Sequence, residues 1–115
     1  MNGALAAQDA QERFARFRRR PDIQSVTARY ADWARTSDGM LIHAQLAGFA
    51  MTRLGGRMTR NQYRASVRQL ASGSKIPARD FALLAECGRE LARCLLVGSG
   101  QLSGSDRDCG WDDSA

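Results

Sequence analysis

Fifteen consecutive residues, Met40 to Leu54, are apolar on nearly every side of the helix that they would form. The large apolar side chains of this segment are separated mainly by alanine, and its first charged residue is Arg53. A helix without a polar face is usually one around which other helices pack. The segment therefore predicts the central helix of a bundle, and Gly48 within it predicts a close approach of a neighbouring backbone.

Apolar residues recur at helical spacing on both sides of this segment, and nothing in the chain is typical of a strand. Pro21 suits the first turn of a helix, and Thr59 with Gln62 forms the capping-box pattern that starts another. Turns are predicted at 37–39, at Gly55 and Gly56, and at 72–77. We therefore expect an all-α fold, a compact bundle of about five helices around 40–54, with the other helices at 4–19, 21–35, 59–70 and 78–96.

From Gly98 onward the sequence consists mainly of glycine, serine and aspartate. Such a segment buries too little apolar surface to become ordered, so we expect a single helical domain over 1–97 and a mobile acidic tail over 98–115. No apolar run approaches the roughly 20 residues of a membrane helix, and the start of the chain lacks the pattern of a signal peptide. We expect no membrane partner and a cytoplasmic location.

Positive charge is concentrated in the middle of the chain. The 115 residues include 17 basic and 12 acidic side chains, a formal net charge of +5, and no acidic residue lies between Asp38 and Asp80. Within that window Arg60, Arg64 and Arg68 recur four residues apart, which places them on one face of the helix. Such a face indicates an anionic partner. The alternative is a basic face that is simply solvated.

The segment Leu54 to Leu70, LGGRMTRNQYRASVRQL, resembles the turn and second helix of a helix-turn-helix DNA-binding domain. The similarity begins at Ala50, and Gly56 with Arg57 makes the turn longer than the compact form. It implies that the helix after the turn enters the major groove, where Asn and Gln can pair with adenine and Arg with guanine. Together with the basic window, it assigns nucleic-acid binding to Arg57, Arg60, Asn61, Gln62, Arg64, Arg68 and Lys75.

A second group of arginines lies near the end of the first predicted helix: Arg13, Arg16, Arg18, Arg19 and Arg20. It is either a secondary basic cluster for an anion or ordinary charge at a helix C-terminus, where cations complement the helix dipole. The last predicted helix carries acidic residues, Asp80, Glu86 and Glu90. We expect Glu86 and Glu90 to face solvent with Arg89 and Arg93, a poor surface for a polyanion.

The last helix also contains two cysteines, Cys87 and Cys94, whose separation of about 10 Å along the axis prevents them from bonding to each other or sharing a metal ion. With Leu84 and Leu91 they form a seam, which we expect in the core or at a helix–helix or dimer contact. His43 is expected to be a packing residue and Cys109 an exposed thiol. We expect no metal, no cofactor and no enzymatic activity, because the sequence has no phosphate-binding loop or paired catalytic groups.

Two functions fit these patterns. The first is a small basic nucleic-acid-binding protein, a DNA-binding regulator or an accessory factor of a mobile element, which uses the helix Thr59 to Leu70 on DNA rather than RNA. The alternative is a non-enzymatic protein-interaction module, a dimeric adaptor or an inhibitor of a partner protein, which uses the basic face and the seam. A homodimer suits both, because helix-turn-helix proteins usually pair to read two half-sites. The acidic tail is a candidate for covering the basic face.

Overall fold

The computed structural model describes residues 2–100, with side chains from Leu5 onward. Within that range the chain forms six helices and no strand, so the prediction of an all-α bundle is confirmed. The predicted tail lies outside the described residues except for its first three, of which Gly98 ends the last helix. The helices are α1 (Asn2–Arg18), α2 (Pro21–Arg29), α3 (Ala31–Ala34), α4 (Ser37–Leu54), α5 (Arg60–Ser72) and α6 (Ala78–Gly98).

The second predicted helix is divided at Tyr30, whose backbone leaves the helical region at φ −107° and ψ 15°. The ring of Tyr30 meets that of Trp33 edge-on at 6.0 Å, and both rings pack against the buried core. The Tyr30 hydroxyl donates to Asp80 at 2.7 Å. The apolar spacing is continuous across this break, which is why the sequence predicts a single helix from 21 to 35.

α4 begins at Ser37, and the turn predicted at 37–39 is wrong. Thr36 caps the helix by accepting a hydrogen bond from the Gly39 N–H at 3.1 Å. A Thr before Ser-Asp-Gly is as suitable for a helix N-terminus as for a turn. A methyl group at Gly39 would overlap the backbone of Trp33, whereas one at Gly48 would have no neighbour within 4 Å. The close approach expected at Gly48 therefore occurs at Gly39.

α4 and α6 together form the centre of the bundle. α6 packs against α1, α2, α4 and α5, and α4 packs against α3, α5 and α6. The apolar surface of α4 is only partly buried, because Met40 and Leu41 are 57% and 58% exposed. In the described part of the chain, no helix has both the length and the hydropathy of a membrane span. The main buried cluster consists of Val26, Leu46, Phe81, Leu84 and Ala85.

Candidate nucleic-acid interface

α5 begins with the capping box that the sequence predicts. The Gln62 N–H donates to Thr59 Oγ1 at 3.1 Å, and the Thr59 N–H donates to Gln62 Oε1 at 2.8 Å. Tyr63 is buried in a second cluster with Ala50 of α4 and Ala92 of α6. One side of α5 is thus committed to the core, and its other sides determine what it can bind.

The exposed side of α5 is polar. Asn61 and Arg68 are both exposed, as residues that contact DNA would have to be. Gln62 is also exposed, but its amide oxygen accepts the capping hydrogen bond. Pairing with adenine needs that oxygen together with the amide nitrogen. The contribution of Gln62 in this structure is therefore to hold the start of α5.

Arg64 and Arg68 line a groove between α5 and α6, and the α6 side of the same groove carries Arg79 and Arg89. We call this feature the four-arginine groove. It has a volume of about 600 Å³. Arg68 and Arg79 are exposed, whereas Arg64 and Arg89 are half-buried and already have interaction partners. Two arginines of the row predicted on α5, Arg64 and Arg68, thus line one wall of a groove whose other wall belongs to α6.

Two carboxylates, those of Asp22 and Glu86, also line the groove, and both are paired with Arg20. Arg20 Nη2 lies 2.7 Å from Asp22 Oδ2, and Arg20 Nη1 lies 2.7 Å from Glu86 Oε2. The hydrogen bond from Arg20 lowers the pKa of the Asp22 carboxyl. The hydrogen bonds that Arg20 donates raise its own pKa, the one to Asp22 more than the one to Glu86. Asp22 and Arg20 are therefore charged at neutral pH, and the surroundings of the groove remain positive.

The other acidic residues of α6 are also paired with arginines of α1 and α2. Arg13 donates through Nε and Nη2 to the two carboxylate oxygens of Glu90, at 2.9 and 3.0 Å. Arg29 lies 2.8 Å from Asp80. Each acidic residue of α6 on which the expectation of a poor surface for a polyanion depends is therefore paired with an arginine. These pairs join helices far apart in the sequence, so spacing along one helix cannot reveal them.

Arg93 further corrects the expected solvent-facing side of α6. Its side chain is only 4% exposed, and Glu86 and Glu90 are half-buried in their ion pairs. Arg79 lies in the basic window of the sequence but is not among the predicted site residues, and Arg89 lies outside that window. Helical spacing does not connect Arg79 with Arg89, because ten positions separate them and the residues between them are mainly acidic and apolar.

The remaining residues predicted to bind nucleic acid lie around the two ends of α5. Arg57 is exposed in the turn before the helix, and Lys75 is exposed in the loop after it, with φ 64°. Arg60, in the first turn, is half-buried and already has an interaction partner. Lys75 borders a different groove, between α4 and α5. The structure therefore brings Arg64 and Arg68 together with α6 and leaves Arg57 and Lys75 as separate cations.

The secondary basic cluster is divided by the fold. Arg13 and Arg20 form the ion pairs described above, and Arg16, Arg18 and Arg19 are exposed. The Arg18 guanidinium lies 5.9 Å from the centre of the Phe14 ring, within the range of a cation–π contact. The cluster thus combines two arginines that hold helices together with three that face solvent.

The seam predicted on α6 is not one continuous buried face. Leu84 is buried in the core, Leu91 is 39% exposed, and Cys87 and Cys94 are half-buried. Burial raises the pKa of the Cys87 thiol to about 11, so this thiol is protonated at neutral pH and is a weak nucleophile. Among residues 5–100, no three His, Cys, Asp or Glu side chains are grouped as metal ligands would be.

His43 packs between helices, as the sequence analysis expects. Its Nδ1 lies 2.8 Å from the Gly39 carbonyl oxygen in the preceding turn of α4, and its ring lies 5.4 Å from that of Trp33. The contact with Trp33 connects α4 to α3, and Trp33 itself packs against the main buried cluster.

α4, the turn and α5 follow one another in the order of a helix-turn-helix, an order that many helical proteins share. The turn is closed by a hydrogen bond from the Arg57 N–H to the Thr52 carbonyl at 3.0 Å, with Gly56 at φ 78°. Positive φ favours glycine at this position.

Comparisons of the chain with protein-family models, with curated proteins and with solved structures found no match.

Proposed function

We propose that this protein binds nucleic acid, DNA rather than RNA, through the exposed side of α5 and the four-arginine groove. The observation that supports this proposal is the charge arrangement around the groove. Arginines from two helices line it, and both carboxylates beside it are paired with Arg20. Neutralisation of phosphates by Lys and Arg supplies most of the affinity of non-specific nucleic-acid binding.

The exposed residues suit two kinds of contact. Arg57, Arg68 and Arg79 would bind backbone phosphates, which position a protein on a duplex without reading its sequence. Asn61, exposed in the first turn of α5, would pair with a base edge. Single strands are generally bound by stacking on aromatic side chains. Tyr63, the aromatic residue that lines the groove, is only 3% exposed, which favours a duplex.

Fluorescence anisotropy with duplex DNA, single-stranded DNA and duplex RNA tests the proposal. We expect duplex DNA to bind most tightly between about 50 and 200 mM salt, with a salt dependence that corresponds to several neutralised phosphates. Asn61→Ala is then expected to reduce discrimination between sequences, by about 1–3 kcal/mol for the base that it reads. Equal binding of all three nucleic acids, lost by 200 mM salt, would show that the arginines are a generic basic surface.

Protein interaction is a second candidate, favoured by apolar residues on the surface. Leu91 and Leu95, four residues apart on α6, are 39% and 51% exposed. A homodimer formed through this part of α6 would cover them. In sedimentation equilibrium we expect the unmodified chain to be a dimer and Leu91→Glu/Leu95→Glu to be a monomer. The control Ala44→Glu, at an exposed position of α4, is expected to leave the dimer intact. A monomer in the unmodified chain would exclude this dimer.

A further inference from the structure

We infer that the four-arginine groove is the docking site of the chain's own segment 101–115. This segment carries four aspartates against the single basic residue Arg107, and it contains Trp111. The occupant is therefore an acidic peptide with one large aromatic side chain. Docking of this peptide would make it compete with nucleic acid for the same arginines. That competition rests on the proposed function, whereas the docking itself does not. The aspartates are Asp106, Asp108, Asp112 and Asp113.

Charge complementarity is the first observation that supports this docking. Arg68 and Arg79 are exposed on opposite walls of the groove, and no carboxylate among the described residues lies within 4 Å of either guanidinium. These arginines therefore remain available for new carboxylates. Because the acids of α6 are already paired with arginines of the α1–α2 region, the groove attracts an acidic segment despite the acidic residues nearby in the sequence.

The apolar part of the groove is the second observation. Val67 of α5 and Ala82 and Leu83 of α6 line it between the arginines. Such a surface suits an aromatic ring with carboxylates on either side, which is the pattern of Asp108, Trp111 and Asp112. An indole on this surface would also lie within reach of a guanidinium, and tryptophan is the best aromatic partner for a cation.

The segment is long enough to reach both ends of the groove. A helix rises about 1.5 Å per residue, so Arg89 lies about 14 Å and Arg79 about 29 Å before the end of α6 at Gly98. An extended chain advances about 3.3 Å per residue, so Asp106 can reach about 20 Å from Gly100 and Asp112 about 40 Å. A segment that turns back after Gly100 can therefore place its aspartates along the whole groove. Covalent attachment also gives it an effective concentration in the millimolar range.

The first experiment measures docking without nucleic acid. The full chain is prepared with all four tail aspartates changed to asparagine, and a fluorescein-labelled peptide of residues 101–115 is added. We expect the peptide to bind, and Arg68→Glu/Arg79→Glu in the same background to weaken binding about tenfold or more. The matched control is Arg16→Glu/Arg19→Glu, which changes the charge equally at exposed positions outside the groove. The proposal would be overturned if the peptide bound equally to both double variants. It would also be overturned if a peptide with its four aspartates changed to asparagine bound as tightly as the original peptide.

The second experiment measures competition in the full-length chain. Neutralising the four tail aspartates is expected to tighten binding to duplex DNA about three- to tenfold at 50 mM salt, with a smaller effect at 200 mM. The control neutralises four exposed acids outside the groove, Asp9, Glu12, Asp32 and Asp38, and changes the net charge by the same amount. Equal tightening in both variants would overturn the competition. Peptide docking without any DNA binding would instead contradict only the proposed function.

Discussion

Two glycines of α4 have opposite surroundings, which gives a direct test of the fold at single residues. A methyl group at Gly39 would overlap the carbonyl of Trp33, whereas one at Gly48 has free space around it. We expect Gly39→Ala to lower the free energy of unfolding by about 2 kcal/mol or more. Gly48→Ala is expected to raise it by up to about 1 kcal/mol, because alanine is the better helix former. Urea denaturation measures both, and equal effects would contradict the packing of α3 on α4.

Thr59 holds the first turn of α5 through its hydroxyl group, which accepts the Gln62 N–H. Thr59→Ala is expected to lower the free energy of unfolding by about 1 kcal/mol. The control is Thr27→Ala, because the Thr27 hydroxyl donates to the Ile23 carbonyl within α2 and caps no helix end. Its effect is expected to stay within about 0.5 kcal/mol. Similar losses in both variants would mean that the capping box does not stabilise α5.

The Tyr30 hydroxyl affects the titration of Asp80. Its hydrogen bond, followed by the charge of Arg29, lowers the pKa of Asp80 below the ordinary value of 3.8. The resulting stability is present above pH 3.8 and is lost as the pH falls through the lowered pKa of the folded state. Tyr30→Phe is expected to move the Asp80 pKa toward 3.8 and to weaken this pH dependence. A carboxyl titration by NMR measures the shift, with Asp22, which is paired with Arg20, as the internal control.

At the scale of helices, Arg20 is expected to influence binding without contacting the ligand. It pairs with both carboxylates that line the four-arginine groove, so Arg20→Ala leaves Asp22 and Glu86 without that cation. We expect several-fold weaker binding of duplex DNA at low salt and a smaller difference at high salt, since salt screens exposed charges. The control Arg19→Ala removes the same charge from an exposed position. Equal weakening by the two variants would show that only net charge matters.

The helices themselves could be predicted from the sequence because the signals that define them are local. The capping box of α5 needs only Thr59 and Gln62, and helical periodicity needs only neighbours three and four residues away. The groove depends on contacts such as that between Arg20 and Glu86, which join distant parts of the chain. No spacing rule identifies which arginine pairs with which acid. The sequence therefore predicts exposed charge for the acids of α6, although the fold pairs them with arginines.

At the scale of the whole molecule, the fold separates two groups of arginines that the composition does not distinguish. Arg13, Arg20 and Arg29 pair with acids and join the α1–α2 region to α6. Arg68 and Arg79 face solvent across a groove without such partners. The net charge of +5 indicates a basic protein, but only the three-dimensional pairing shows which arginines have acidic partners and which face solvent.

The most direct test of this account is the salt dependence of duplex DNA binding by Arg68→Glu/Arg79→Glu, compared with Arg16→Glu/Arg19→Glu. If the groove binds the phosphate backbone, the first variant loses most of its affinity and its log–log salt slope falls by about 1 for each lost phosphate contact. The second variant, with the same net charge, is expected to keep a slope close to that of the unmodified chain. Equal losses of affinity and slope in the two variants would contradict the assignment of the four-arginine groove.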